Sequence, residues 1–344
     1  MKIPKKLGFV QAINCIEGVD TSDKPLEIDF SKTTFSEPSG SLLLVRWIAK
    51  QQIRRNVSIK WGGTPDPRYV PFDKVSPHDR WLKYQLFSGF YNAVNGGDVQ
   101  PFREDERTRN KYVPYSVIEI GTACKMLQDG DGKRAQHSAE EIALRITRQI
   151  LEDVSAATAA AFTKSLQEII ENVIFYAGGV SRCYLMAQFT PEVPATPSNK
   201  RILQIAIMDE GCGLLERLKR SESDSDHLNA IERALVAGVS SSNQRGRGIG
   251  LATLLKASSA GGSMFMGTGS VTGVGKASIY ESGQRQTMRL EGRWWPLDVS
   301  DLNYGMSGTF VGLKLFPESV NFTTIENQIR DEFKPDTGVI IPDK

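Results

Sequence analysis

The amino-acid sequence predicts an α/β protein, and three features carry that prediction. Strand, helix and strand follow one another within residues 26–61, two long helical patterns precede an alternating strand in the middle of the chain, and a glycine-bounded helix leads into several short strands.

The first feature sets the first unit. Residues 26–30 alternate apolar and polar and read as a strand. Pro38, with Ser36 or Glu37 before it, suits a helix start, and residues 42–53 carry apolar side chains at helical spacing. Residues 57–61 read as a second strand, broken by Gly62 and Gly63. The polar, turn-rich run over 96–111 suggests a boundary, which gives an α/β unit over residues 1–105 and a connecting segment over 106–137.

The second feature begins at Ser138, where Ser138, Glu140 and Glu141 form a capping-box sequence opening a helix to about residue 153. A second helix is expected over 159–177, closed by Gly178 and Gly179. Residues 201–208 put Leu203, Ile205 and Ile207 on one face, as in a half-buried strand. The third feature follows Gly250: a helix over 251–257, then strands over 263–267, 276–281, 286–291 and 310–316. Together, residues 138–317 predict helices on one side of a mixed or antiparallel sheet. Residues 318–344 form a tail with one short helix at 323–333.

Composition narrows the function classes. A formal net charge of +2 argues against nucleic acid or a membrane surface as the main partner. No run approaches the roughly 20 apolar residues of a membrane span. Residues 1–10 are basic but no signal-type apolar stretch follows them. Cys15, Cys124, Cys183 and Cys212 are far apart, which argues against a zinc site or disulfide framework and for a reducing cytoplasm.

Chemistry concentrates in three motifs. Glu168 and Asn172 are four apart on the second long helix, so they share a face, with Tyr176 one turn further. An amide oxygen suits Mg²⁺, and a carboxylate one turn away can deprotonate a nucleophile. Asp209 ends the alternating strand, and Gly211 and Gly213 after it let backbone approach a flat ligand. Arg245, Gly246, Arg247, Gly248, Gly250 and Leu251 open a helix whose bare amides suit an anion. Alone, each has a plainer reading: a solvated helix stripe, a turn, a flexible loop.

Taken in order, with Gly308 and Thr309 opening a later strand, the motifs resemble those of the GHKL ATPases, which include gyrase, histidine kinases, MutL-type repair proteins and heat-shock chaperones. The resemblance spans residues 138–317 and implies a Bergerat-type α/β sandwich that binds ATP with Mg²⁺. It further implies Glu168 as general base, Asn172 as Mg²⁺ ligand, Asp209 on the adenine amino group, and Gly211 and Gly213 as pocket wall. Gly246, Gly248 and Gly250, followed by Leu251, would cradle phosphate; Thr309 would support Asp209, Tyr176 would lie beside the purine, and residues 214–245 would form a lid. One departure is Phe175, which stands where histidine kinases often carry a lysine. Arg245 or Arg247 would then meet the phosphate charge, or else be solvated lid residues.

Residues 20–95 resemble a STAS (anti-anti-sigma-factor-like) domain, which implies a protein partner through that unit and Ser39 as a phosphorylation site. Glu37 and Pro38 replace the usual aspartate and serine there, and Ser39 reads equally as a helix-capping residue. None of His78, His137 and His227 has a phosphoacceptor context, and all three read as exposed bystanders. Two functions remain: an ATPase or serine kinase with Glu168 as base, or a nucleotide-gated protein-binding module. A homodimer fits either.

Overall fold

The computed structural model describes residues 1–20, 22–63, 75–106, 111–177, 179–191, 201–218, 231, 234–235, 250–258, 262–269, 271–280, 287–291, 294–296 and 306–332. In chain order the elements begin with β1 (Lys6–Leu7), α1 (Phe9–Glu17), β2 (Leu26–Asp29), β3 (Phe35–Ser36), α2 (Pro38–Arg54) and β4 (Val57–Lys60). Next come α3 (Pro77–Phe87), α4 (Phe90–Val94), β5 (Gln100–Pro101), β6 (Tyr112–Glu119), α5 (Gly121–Gln128), α6 (Gly132–Ile150) and α7 (Ala156–Tyr176). The chain continues through β7 (Arg182–Pro191), β8 (Arg201–Asp209), α8 (Gly213–Leu218), α9 (Gly250–Ser258) and β9 (Ser263–Gly269). It closes with β10 (Val271–Tyr280), β11 (Thr287–Glu291), β12 (Trp294–Pro296), β13 (Met306–Leu315) and α10 (Phe322–Glu332).

The protein is a mixed α/β fold around a nine-stranded sheet in the order β11-β10-β9-β13-β8-β7-β6-β5, with β12 also paired to β10. β5 runs parallel to β6, and the other pairs are antiparallel. Helices cover both faces. On one face Ile146 and Ile150 of α6, Phe162 and Ile170 of α7 and Leu254 of α9 pack against Leu185, Leu203, Ile205 and Ile207. On the other, Phe9 and Ile13 of α1 and Leu44 and Ile48 of α2 pack against Tyr184, Met186, Ala206, Met208, Phe265 and Phe310. β8 therefore is not the half-buried strand its odd-numbered residues suggest. Small Ala206 and flexible Met208 fill the even positions, so both faces are dry.

This two-sided burial redraws the boundaries. Residues 1–105 contain the expected βαβ unit, with β2 and β4 paired in parallel around α2. That unit does not stand apart, because α1 and α2 share a core with the large sheet. The Phe9 ring lies 5.0 Å from Phe265 and 5.1 Å from Phe310, and Lys314 Nζ is 3.3 Å from Glu37 Oε1. Residues 106–137 are no connector. They supply β6, a strand of the sheet, and α5, which packs on α6 and α7.

The expected start at Ser138 moves to Asp131, whose carboxylate accepts the Arg134 N–H at 3.2 Å and caps α6. β7 escapes the sequence pattern because Cys183, Leu185 and Phe189 face one core while Tyr184 and Met186 face the other. His78 is no exposed bystander: its Nδ1 lies 2.6 Å from the Thr33 carbonyl and its Nε2 2.8 Å from the Trp61 carbonyl. His137 is exposed near Glu140, and His227 lies outside the described residues. Among the described residues no helix is long and apolar enough to cross a membrane.

Candidate functional site

The described candidate residues fall in two groups on the α7/α9 side of the sheet, one where α7 meets the start of α9 and one where β8 ends. α7 begins at Ser155, whose hydroxyl accepts the Thr158 N–H at 3.2 Å. Its Leu166, Ile169, Ile170, Val173 and Ile174 are buried on the sheet, as the helical spacing predicts. Glu168 and Asn172 are thereby left half-buried on one flank. Glu171, between them, is buried and accepts the Gln167 Nε2 hydrogen bond at 2.8 Å, so that acid holds its own helix.

Glu168 reaches the start of α9. Its Oε2 accepts the Gly250 N–H at 2.5 Å, and a Cβ at Gly250 would lie 2.8 Å from the Glu168 Cβ. Only glycine lets the two helices approach so closely. The contact is also electrostatic, because the first amides and the dipole of a helix favour an anion. Here that anion is the Glu168 carboxylate. Leu251, next in the helix, is buried in the core.

Asp209, buried at the end of β8, accepts the Gly211 N–H through Oδ1 at 2.8 Å and the Thr309 N–H through Oδ2 at 3.2 Å. β8 and β13 are neighbours, which brings Thr309 beside Asp209, and it is the backbone of Thr309 that makes this bond. The turn after Asp209 also receives the end of α7. The Ala177 carbonyl accepts the Cys212 N–H at 3.2 Å, and a Cβ at Gly211 would collide with that carbonyl. Gly308 has φ +80°, and a Cβ there would strike the Asp209 backbone.

Sequence reasoning overlooked several partners. Thr268 of β9, fully buried, accepts the Leu214 N–H at 2.9 Å and donates to the Gly308 carbonyl at 3.2 Å, so it ties the turn to β13. Nothing local marks it; its role follows from the β9–β13 register. Glu210 points to the face opposite Asp209 and pairs with Arg46 of α2 at 2.7 Å. Strand alternation from Asp209 could have found it. Cys183 stands across from Asp209 in β7, and burial, with a smaller contribution from Asp209, pushes its thiol well above the ordinary range.

Of the residues singled out from sequence, the structure thus brings together Glu168 with Gly250, Asp209 with Gly211, Gly308 and Thr309, and Gly213 with Gly308. Tyr176 closes α7. Arg245, Gly246, Arg247 and Gly248, with the rest of the expected lid beyond α8, lie outside the described residues apart from residues 231, 234 and 235. Ser39 belongs to no site on this face. It is 5% exposed at the start of α2, against Gly312 of β13, which closes it to a kinase in the folded chain. Among the described residues no three His, Cys, Asp or Glu side chains converge as a metal cluster. No protein-family model, curated protein or solved structure matches the chain.

Proposed function

We propose that the chain binds ATP with Mg²⁺ at the α7/α9 face of the sheet and hydrolyses it, as a GHKL-type protein with a Bergerat-type sandwich over residues 138–317. One observation carries this reading: side chains from motifs far apart in sequence converge, with Glu168 on the Gly250 amide and Asp209 on the Thr309 amide, on one face of one sheet. A coincidental set of turns and polar stripes has no reason to assemble in this way.

The residues fit a magnesium nucleotide. The glycine at the start of α9 is a cradle that a Cβ would fill, and its amide already takes an oxygen anion. Bound with the nucleotide, Mg²⁺ would neutralise phosphate charge, and Asn172 is the residue to hold it. Asp209, fixed by two backbone N–H groups, presents an acceptor of the kind an adenine amino group requires. Glu168 is released when phosphate takes the Gly250 amide, and then accepts the proton of the attacking water. Water is the acceptor favoured here over Ser39, because Ser39 is buried.

The test is phosphate release from labelled ATP and Mg²⁺. Release that Glu168→Ala abolishes supports hydrolysis, and Asp209→Asn is expected to weaken nucleotide binding about tenfold or more. Unchanged affinity in Asp209→Asn would sink the pocket. One observation favours the binding-only reading, a nucleotide-gated module: Glu168 is held by Gly250 at 2.5 Å. ATP binding without phosphate release selects that reading.

A further inference from the structure

Asp209 and Glu210 are consecutive carboxylates at the end of β8, and strand alternation sends them to opposite faces. Asp209 lies on the face of Leu203, Ile205 and Ile207; Glu210 lies on the face of Ala206 and Met208, where α2 covers the sheet. The two acids share one peptide unit. Whatever fixes Glu210 from behind therefore fixes the direction in which Asp209 leaves the strand.

Glu210 is held firmly. Its Oε1 accepts both Arg46 Nη2 at 2.7 Å and Arg46 Nε at 3.2 Å, and its Oε2 accepts the Tyr184 hydroxyl at 3.3 Å. The guanidinium lies 3.9 Å over the Tyr184 ring, and Arg46 Nη1 donates to the Tyr115 hydroxyl at 3.4 Å. Tyr115 and Tyr184 stack with centroids 6.1 Å apart. The Arg46 and Glu210 side chains are only 15% and 27% exposed, so solvent screens this pair less than a surface one. Lys50, one turn along α2, is held below the ordinary lysine range by burial, only partly opposed by Glu210. A planar guanidinium gripping one carboxylate from two nitrogens allows little rotation.

We propose that Arg46 and Glu210 are positioning residues for base recognition: through the peptide they share with Asp209, they aim its carboxylate at the adenine amino group from behind the sheet. The proposal rests on the nucleotide reading above. Neither residue touches the base. Loosening the Glu210 grip lets the 209–211 turn pivot, and the first property lost is the preference for adenine over guanine, which places a carbonyl oxygen where adenine has its amino group. Contacts to phosphate, made from α7 and α9, are left as they are.

The test is calorimetric titration of the full chain with ATP and with GTP, each with Mg²⁺, for wild type, Glu210→Ala, Arg46→Met, Arg46→Lys and Tyr184→Phe. Wild type is expected to prefer ATP. Glu210→Ala and Arg46→Met are expected to reduce the ATP-to-GTP affinity ratio about tenfold, chiefly by weakening ATP, with Arg46→Lys intermediate. A role in stability alone would lower the unfolding temperature and leave the ratio of the folded protein unchanged; that result overturns the proposal. Should Glu210→Ala or Arg46→Met fail to fold, Arg46→Lys and Tyr184→Phe are read by the same ratio, and wild-type selectivity in both overturns it. Wild type that binds neither nucleotide overturns the nucleotide reading and this proposal with it. Altered selectivity in variants that still bind GTP normally upholds both.

Discussion

The two faces of the sheet are built from different materials. The α7/α9 face is mainly aliphatic and alanine-rich, with Asp209 where β8 ends, Glu168 and Asn172 along α7, and buried polar groups such as Thr147, Ser165 and Thr268 among them. The N-terminal face is aromatic, with Phe9, Phe30, Trp47, Trp61, Trp81, Phe90, Phe265 and Phe310 all buried. It also takes polar groups inside. Tyr84 donates to Gln188 at 3.0 Å, and Gln188 in turn donates to Gln204. Ser41 Oγ, Trp47 Nε1, Gln51 Nε2 and Gln85 Oε1 are buried with no hydrogen-bond partner among the described residues. Each such group costs about 1–3 kcal/mol. One face is therefore packed mainly by aliphatic side chains, and the other holds its layer in place by large rings, at some cost in polar satisfaction.

The sharpest break of this comparison is Phe310→Ala. Phe310 is fully buried against Phe9, so its loss is expected to cost about 3–5 kcal/mol in urea unfolding. A cost under about 1 kcal/mol would mean that the N-terminal layer is not docked on the sheet. Next is Gly308→Ala, on the opposite face, where positive φ and the Asp209 backbone both oppose a side chain. We expect about 3 kcal/mol there, against about 1 kcal/mol for Gly130→Ala, whose Cβ meets nothing within 4 Å. Equal costs would remove the packing argument.

Alkaline pH probes both faces together. Burial raises the Cys183 thiol on one face, and on the other raises Tyr115 to about 12, the latter partly opposed by Arg46. The unfolded chain releases these protons from near 9.0 for the thiol and 10.0 for the phenol, while the folded chain retains them. The native state then binds more protons than the unfolded state. Stability is fully present below pH 9 and falls above it, by up to about 1.4 kcal/mol per pH unit for each group. Urea midpoints from pH 8 to 11 measure this, and Cys183→Ala should flatten the first part of the decline. A flat profile in wild type would show that neither group is sequestered. The smallest effect is Glu37→Ala, which removes the Lys314 pair between α2 and β13 and is expected to cost about 0.5 kcal/mol.

What could be read from sequence follows the same division. The α7 face was legible because one helix repeats apolar residues on a single side, and Glu168 and Asn172 fall on the flank left over. The end of β8 was legible because Asp209 is followed by glycines that a close approach requires. The N-terminal layer was not. Phe9, Phe265 and Phe310 find one another only after the chain has folded, and no local period announces a contact between residues so far apart. β6 and β7 were missed for a related reason, since a strand buried on both faces shows no alternation. The pairing of Glu210 carries no local signal either, because its partner Arg46 lies 164 residues earlier in the chain, on a helix that covers the opposite face.

Phe9 stacks on a ring that the chain contributes only at position 310. During synthesis at about 5–20 residues per second, those two rings leave the ribosome roughly 15–60 s apart. β7 and β8 follow first and give α1 and α2 part of their sheet, but Phe265 and Phe310, which complete that core, come only with β9 and β13. The aromatic layer is thus completed in two stages, on β7 and β8 and then around Phe265 and Phe310, and between them part of an aromatic surface stays open to wrong contacts.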